Sequence, residues 1–272
     1  MTALTLLGTA GGPGGHARRS GIASLVEVAG VRMLVDAGVG VVRQLARVGL
    51  TCGDIDVVFL THLHDDHTAG LPALMTFRHT MRRGPLTLIG PPGTVALRDG
   101  VLAYMGANTA IRGQEGRLVD PVTLFEARDV EPGIVYSDAA FQVTAAENSH
   151  YALTRFDSPQ KSYALRFDTA SRSLVFTGDT GESRAVEDLA RGADVLVSEM
   201  VTDADVAAVP PPVQAHMRAE HLSPEQVGAL AAAADVGKVV LSHYTDASAD
   251  DLEAIRREFP GDVIAGEDLM RV

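Results

Sequence analysis

The chain has 272 residues, 46% of them hydrophobic and 21% charged, a balance that excludes disordered and collagen-like chains. Its 23 basic and 35 acidic residues leave a net charge of −12, which disfavours nucleic acid and anionic membrane over most of the surface. The single Cys52 cannot form an internal bridge, excludes a cysteine-based zinc cluster and fits a reducing compartment, so a cytoplasmic location is expected.

No basic residue precedes the apolar opening Met1 to Ala10, and no window approaches the roughly 18 uninterrupted apolar residues of a membrane span, so neither leader nor spanning helix is expected. Apolar or alternating runs between turn residues predict strands at 3–7, 22–28 and 31–35, followed by a helix over 40–48 with Val41, Leu45 and Val48 on one stripe. Next come a strand at 55–60, a helix over 69–81, a strand at 86–89 and a helix over 93–105. Strands at 122–126, 140–145, 162–167 and 173–177 follow, then helix 184–191, strand 194–198, helix 224–235 and strand 238–242. Helix 224–235 has the sharpest start, with Ser223 as cap, Pro224 in the first turn and Gln226 completing a capping box. The 27 glycines and 13 prolines punctuate the whole chain instead of collecting in one linker, so a single domain over 1–272 is expected. Alternating strands and helices, then a hairpin-like pair at 162–177, predict a layered α/β fold with mixed strand pairing.

Four apolar strands run directly into an ionisable residue: Val57 to Leu60 into His62, Leu174 to Phe176 into Asp179, Val195 to Val197 into Glu199, and Val239 to Leu241 into His243. Ligands gather at the carboxyl ends of strands in open α/β sheets, so these groups are expected at one edge. The densest run is Thr61-His62-Leu63-His64-Asp65-Asp66-His67. Three histidines held this close repel one another when protonated, which makes a divalent cation the economical explanation. Residues two apart converge on one ion while Asp66 and His67 turn to a second, so two metals are predicted.

This H-x-H-x-D-H run resembles the signature of the metallo-β-lactamase fold. The likeness continues through Leu4 to Gly8, Val35-Asp36-Ala37-Gly38, Asp54-Ile55-Asp56, Asn148-Ser149-His150, Thr177-Gly178-Asp179-Thr180 and Leu241-Ser242-His243-Tyr244. The resemblance implies an αβ/βα sandwich of two similar halves with a dinuclear, usually zinc, centre. By position, His62, His64 and His150 would hold one ion, Asp66, His67 and His243 the other, and Asp179 would bridge both. Manganese or iron(II) suits the same donors. Two cations about 3.5 to 4 Å apart share a water, lower its pKa toward neutrality and polarise a carbonyl or phosphoryl oxygen, so hydrolysis by a bridging hydroxide is expected, with Asp66 orienting it and taking its proton.

Ser198-Glu199 and Glu220-His221-Leu222-Ser223 narrow the likeness to the RNase Z and arylsulfatase-like branch, with His221 as general acid and Glu199 fixing its tautomer. An ordinary structural hydrogen bond between the two is the competing interpretation. His16, His79 and His216 fit no position of the pattern, which assigns them surface or core roles. RNase Z enzymes commonly carry a basic, Gly-rich arm between the third His and the bridging Asp, whereas only residues 151–178 intervene here. With the acidic charge, that makes tRNA an improbable partner and a small ester-type molecule the expected substrate. Arg18, Arg19 and Arg155 lie near the motif loops, where they either bind a small anionic group or form surface ion pairs. The alternatives are a phosphodiesterase or nuclease of the RNase Z type, a lactonase or β-lactamase, and a non-catalytic metal-binding protein; homodimerisation stays open.

Overall fold

A computed structural model describes residues 1–81, 83–116, 120–153 and 160–272. The first half runs β1 (Thr2–Gly8), β2 (Ala23–Val28), β3 (Val31–Val35), α1 (Val41–Arg47), β4 (Val57–Phe59), α2 (Asp65–Thr68), α3 (Leu71–Thr80), β5 (Leu86–Gly90), α4 (Thr94–Gln114) and β6 (Phe125–Asp129). The second half runs β7 (Gly133–Ser137), β8 (Phe141–Glu147), β9 (Tyr163–Thr169), β10 (Ser173–Phe176), α5 (Arg184–Ala190), β11 (Val195–Ser198), α6 (Asp203–Ala208), α7 (Pro211–Glu220), α8 (Pro224–Ala233), β12 (Lys238–Leu241), α9 (Ala249–Glu258) and β13 (Asp262–Ala265).

Among the described residues the strands form two sheets, one ordered β1-β2-β3-β4-β5-β6 and the other β13-β12-β11-β10-β9-β8-β7. Each begins with antiparallel neighbours and ends with parallel ones, the change falling at β3/β4 in one half and β10/β11 in the other. That shared pattern is the pair of similar halves expected of a metallo-β-lactamase-type sandwich.

Side-chain alternation builds the layers. Leu4, Leu6, Val26, Met33 and Phe59 point between the sheets and meet Phe141, Val143, Phe167 and Phe176, while their neighbours Leu7, Leu25, Leu34 and Val58 pack outward under α1, α3 and α4. On the other outer face Leu196, Val239 and Leu241 pack under α5, α8 and α9. Phe167 anchors the inner layer, fully buried and edge-on to Phe59 and Phe176 at 5.4 and 5.6 Å. Phe167→Ala is expected to cost about 3–5 kcal/mol of unfolding free energy, measured by denaturant titration, and a loss below 1 kcal/mol would show that the sheets close the gap.

Several elements differ from expectation. The strand predicted at 122–126 begins three residues later, because Asp120 accepts the amide of Val122 and Pro121–Thr123 wind into a 3₁₀ turn. The helix predicted over 93–105 continues to Gln114. Strands β7 and β13 and helices α6, α7 and α9 are additional to the predicted elements; α9 buries Ala254 and Ile255, packs Leu252 against the same core and starts on the capping box of Ser248 and Asp251. The box predicted at Ser223 and Gln226 is present.

Candidate functional site

The carboxyl ends of β3, β4, β8, β10, β11 and β12 meet at one edge of the sandwich, where Tyr163 donates its amide to Thr61 O across the two sheets and Asn148 Nδ2 donates to Thr177 O within the second. Asp36 and His243 both adopt left-handed backbone conformations, with φ of 61° and 59°. Such strain in non-glycine residues persists only where the surroundings enforce it. Gly178 also has a positive φ, of 59°, and a Cβ there would lie 2.7 Å from the Tyr163 carbonyl. Glycine is therefore required immediately before Asp179, whose position is set by close packing.

The short loop after β4 turns His62, His64, Asp66 and His67 toward this edge, with Thr68 Oγ1 donating to the His64 carbonyl to start α2. His64 Nδ1 lies 3.0 Å from His62 Nε2 and 3.1 Å from His150 Nε2. Asp179 presents one oxygen to each side: Oδ1 is 3.3 Å from both His67 Nε2 and His243 Nδ1, while Oδ2 is 3.9 Å from both His62 Nε2 and His150 Nε2. Asp66 Oδ2 lies 3.1 Å from His243 Nε2 and 3.7 Å from His67 Nε2. The structure thus brings together His62, His64, Asp66, His67, His150, Asp179 and His243.

Their electrostatics fit a cation. Burial, reinforced for His62 by neighbouring imidazoles, pushes His62 and His64 below the ordinary histidine range and His150 down to about 3, which favours neutral, ligand-ready rings. Burial works against the Asp179 carboxylate, but His243 and His67 outweigh it and hold Asp179 well below the usual carboxylate range. His67 is also opposed by burial, yet Asp179 and Asp36 raise it well above the usual value. A proton on His67 then neutralises a charge that a bound cation could neutralise equally. Among the described residues, His67 Nε2, Asp179 Oδ1 and His243 Nδ1 are buried without a well-aligned hydrogen-bond partner, and such atoms gathered around one carboxylate oxygen fit a metal ion. The ligand atoms of His62, His64 and His150, of His62, His67 and Asp179, and of Asp66, His67 and His243 each lie within 4.8 Å of one another.

Behind the cluster, Asp36 Oδ2 lies 2.9 Å from His67 Nδ1, and Asp36 also accepts the amide and hydroxyl of Thr61. Asp36 fell in a motif of the sequence, but its contact with His67 spans 31 positions and no local spacing reveals it. Partners of this kind typically change metal affinity by about 10–100-fold, so Asp36→Asn is expected to weaken binding by that factor in competition with a chromogenic chelator, while unaltered affinity would make it a fold residue only.

His221 and Glu199 meet as anticipated from the sequence. His221 Nδ1 is 2.9 Å from Glu199 Oε2, and Glu199 Oε1 accepts the amides of Thr180 and Leu222, so the carboxylate cannot swing away. Burial opposes the charged form of His221, but Glu199 outweighs it and raises His221 to about 9. The ligand atoms of His150, Asp179 and His221 also lie within 4.8 Å, so geometry admits His221 either as proton donor or as ligand.

An open cleft of about 610 Å³ faces the cluster, lined by His64, Asp66, His150, Asp179, His221 and His243 and by a Gly-rich loop over 11–15. His16 and His216, expected on the surface or in the core, line this cleft instead. His216 faces it because Val213, His216, Met217 and Glu220 form one stripe of α7, a helix hidden from sequence reasoning by the prolines at 210, 211 and 212. His79 is buried in α3 and takes no part. Arg18 and Arg19 line an adjoining cleft with Arg47, and Arg19 lies 4.4 Å over the Tyr244 ring; Arg155 lies outside the described residues.

The beta-lactamase superfamily domain matches residues 31–244 of the chain. A ribonuclease Z of Mycobacterium avium is 32% identical over 281 residues, covering 100% of this chain and 98% of that relative. Among solved structures, the metallo-beta-lactamase fold protein YhfI of Bacillus subtilis aligns with a TM-score of 0.74 at 21% identity, over 100% of this chain and 99% of its own. Human tRNase Z, short form, aligns with a TM-score of 0.74 at 22% identity, over 100% and 98%. At these identities the structures establish a shared fold.

Proposed function

This chain belongs to the beta-lactamase superfamily and is a metal-dependent hydrolase, and from that premise we propose that it cleaves phosphodiesters in the manner of RNase Z. The observation that carries this reading is the His221–Glu199 pair opening on the same cleft as the metal-binding cluster. An aryloxide departs readily from an ester, but the alkoxide of a sugar leaves a phosphodiester only if it receives a proton. A histidine raised to about 9 is still protonated at neutral pH and suited to that task.

In this reading His62, His64 and His150 would hold one zinc ion and Asp66, His67 and His243 a second, with Asp179 a ligand to both; iron(II) or manganese suits the same donors. When bound, such ions supply Lewis acidity and ionise water near neutral pH. Asp66, whose carboxyl is opposed by burial but held low by His243, stays ionised and accepts the proton of the attacking water. Asp36 keeps His67 oriented, Glu199 keeps His221 protonated, and His221 Nε2 delivers its proton to the departing oxygen.

The name of the relatives counts against the expectation that tRNA is an improbable partner. The shortness of segment 151–178 does not support that expectation either, because 98% of the M. avium relative aligns with this whole chain and leaves it no room for a long arm. A second reading, a small diester or ester as substrate, is favoured by one observation: among the described residues no lysine or arginine lines the cleft. Among the described residues no helix is long and apolar enough to cross a membrane, and the buried lone Cys52 suits a reducing cytoplasm.

The test is to offer the zinc-loaded protein a precursor tRNA with a 3′ trailer, bis-p-nitrophenyl phosphate and p-nitrophenyl acetate. Cleavage of the two phosphodiesters is expected, with trailer removal assigning tRNA. Rapid acetate hydrolysis with both phosphodiesters left intact would replace this reading with the small-ester one.

A further inference from the structure

We infer that the cleft contains an apolar subsite on the wall made by α6 and α7, which receives an uncharged aromatic arm attached to the departing oxygen of the substrate. The inference rests on the phosphodiester reading with a small diester as substrate, and adds the chemical class of the leaving arm.

A surface helix normally turns its apolar stripe to the core. In α7 the stripe is Val213, His216, Met217 and Glu220, and only Glu220 is buried. Val213, His216 and Met217 line the catalytic cleft, with Val213 41% exposed. Val209, which follows α6, and the buried Met200, which follows β11, extend the same lining. These side chains have no core to cover, so their apolar surface is presented to whatever enters the cleft.

Glu220 holds the wall in register with the chemistry. Its carbonyl lies 3.1 Å from Nδ1 of His150, its Oε1 accepts the amide of Leu153 at 2.5 Å, and its Oε2 lies 2.7 Å from Nδ1 of His216. One buried residue therefore ties the third-histidine loop to the helix that carries Val213 and Met217. The ring of His216 lies 6.3 Å from that of His221. An arm attached to the oxygen that His221 protonates thus starts beside α7.

The Gly-rich loop over 11–15 lines the same cleft and presents mostly backbone, so the apolar side chains come chiefly from α6, α7 and Met200. A planar ring gains most contact for least ordering on such a wall. Its occupant is uncharged, because the arginines at 18, 19 and 47 stand in the adjoining cleft and none lines this one among the described residues.

Calorimetric titration of the zinc-loaded protein with benzyl phosphate and methyl phosphate tests the subsite. Both bind through the same phosphate, so their ratio reads the arm alone. Benzyl phosphate is expected to bind about 10–100-fold more tightly, as burial of six further carbons implies. Val213→Ser and Met217→Ser are each expected to shrink that preference severalfold. A ratio near one in the unaltered protein, or a ratio that neither substitution moves, overturns the subsite. Binding needs no turnover, so an intact preference with no phosphodiester cleavage would retain the subsite and remove the phosphodiester reading alone.

Discussion

Asp179→Asn is expected to strip metal from both histidine groups and to reduce kcat/KM for a phosphodiester by about 10³-fold or more, the equivalent of several kcal/mol of lost transition-state stabilisation. The substitution keeps the shape of the side chain and removes its charge. The charge matters because Oδ1 faces His67 and His243 at 3.3 Å while Oδ2 faces His62 and His150 at 3.9 Å, so one carboxylate serves both sides. His64→Ala is expected to deplete chiefly the side shared with His62 and His150. His79, buried in α3 and outside the cleft, is the control, and its replacement should leave metal stoichiometry intact. Elemental analysis of each variant beside its activity decides. Full metal occupancy in Asp179→Asn would show that the two groups do not depend on a common ligand.

His221→Ala is expected to lower kcat/KM by about 10² to 10⁴ for a substrate with an alkoxide leaving group and by much less for p-nitrophenolate, because general acid catalysis matters in proportion to the leaving group's need for a proton. Glu199 outweighs burial and raises His221 to about 9, so the donor is present below that pH and the rate should fall as pH rises through it. Glu199→Gln should move that alkaline limb toward the ordinary histidine range and give a smaller loss. The same shift makes the pair a pH-dependent stabiliser. Its folded pKa lies above the unfolded value, so its contribution is complete below about pH 6.5 and is lost as pH rises through about 9. A defect independent of leaving-group pKa, or zinc lost with activity, would make His221 a ligand alongside His150 and Asp179.

The sequence disclosed those parts of the site in which local pattern and tertiary position coincide. Continuous β-branched and apolar runs at Val57 to Leu60 and Val239 to Leu241 favour strands buried on both faces, and the structure places the histidines that follow them at the strand ends. His150 was legible only through the family likeness, because Asn148-Ser149-His150 has no local signal; it becomes a site residue when β8 and β9 lay it beside His64. Asp36, Glu220 and His216 were missed as parts of the site for the same physical reason. Their partners come from other elements or from a helix whose stripe faces solvent, and periodicity reports only burial in a core. The pattern gives His16 and His216 surface or core roles, and the Gly-rich loop and α7 bring them to the cleft.

Removing metal with a chelator and then titrating zinc back while following bis-p-nitrophenyl phosphate hydrolysis tests the metal-dependent hydrolase at this cluster most directly. The expected result is no activity in the stripped protein and a rate that rises until two zinc ions are bound per chain, then stays level. Full activity after stripping, or none with both ions bound, would contradict it.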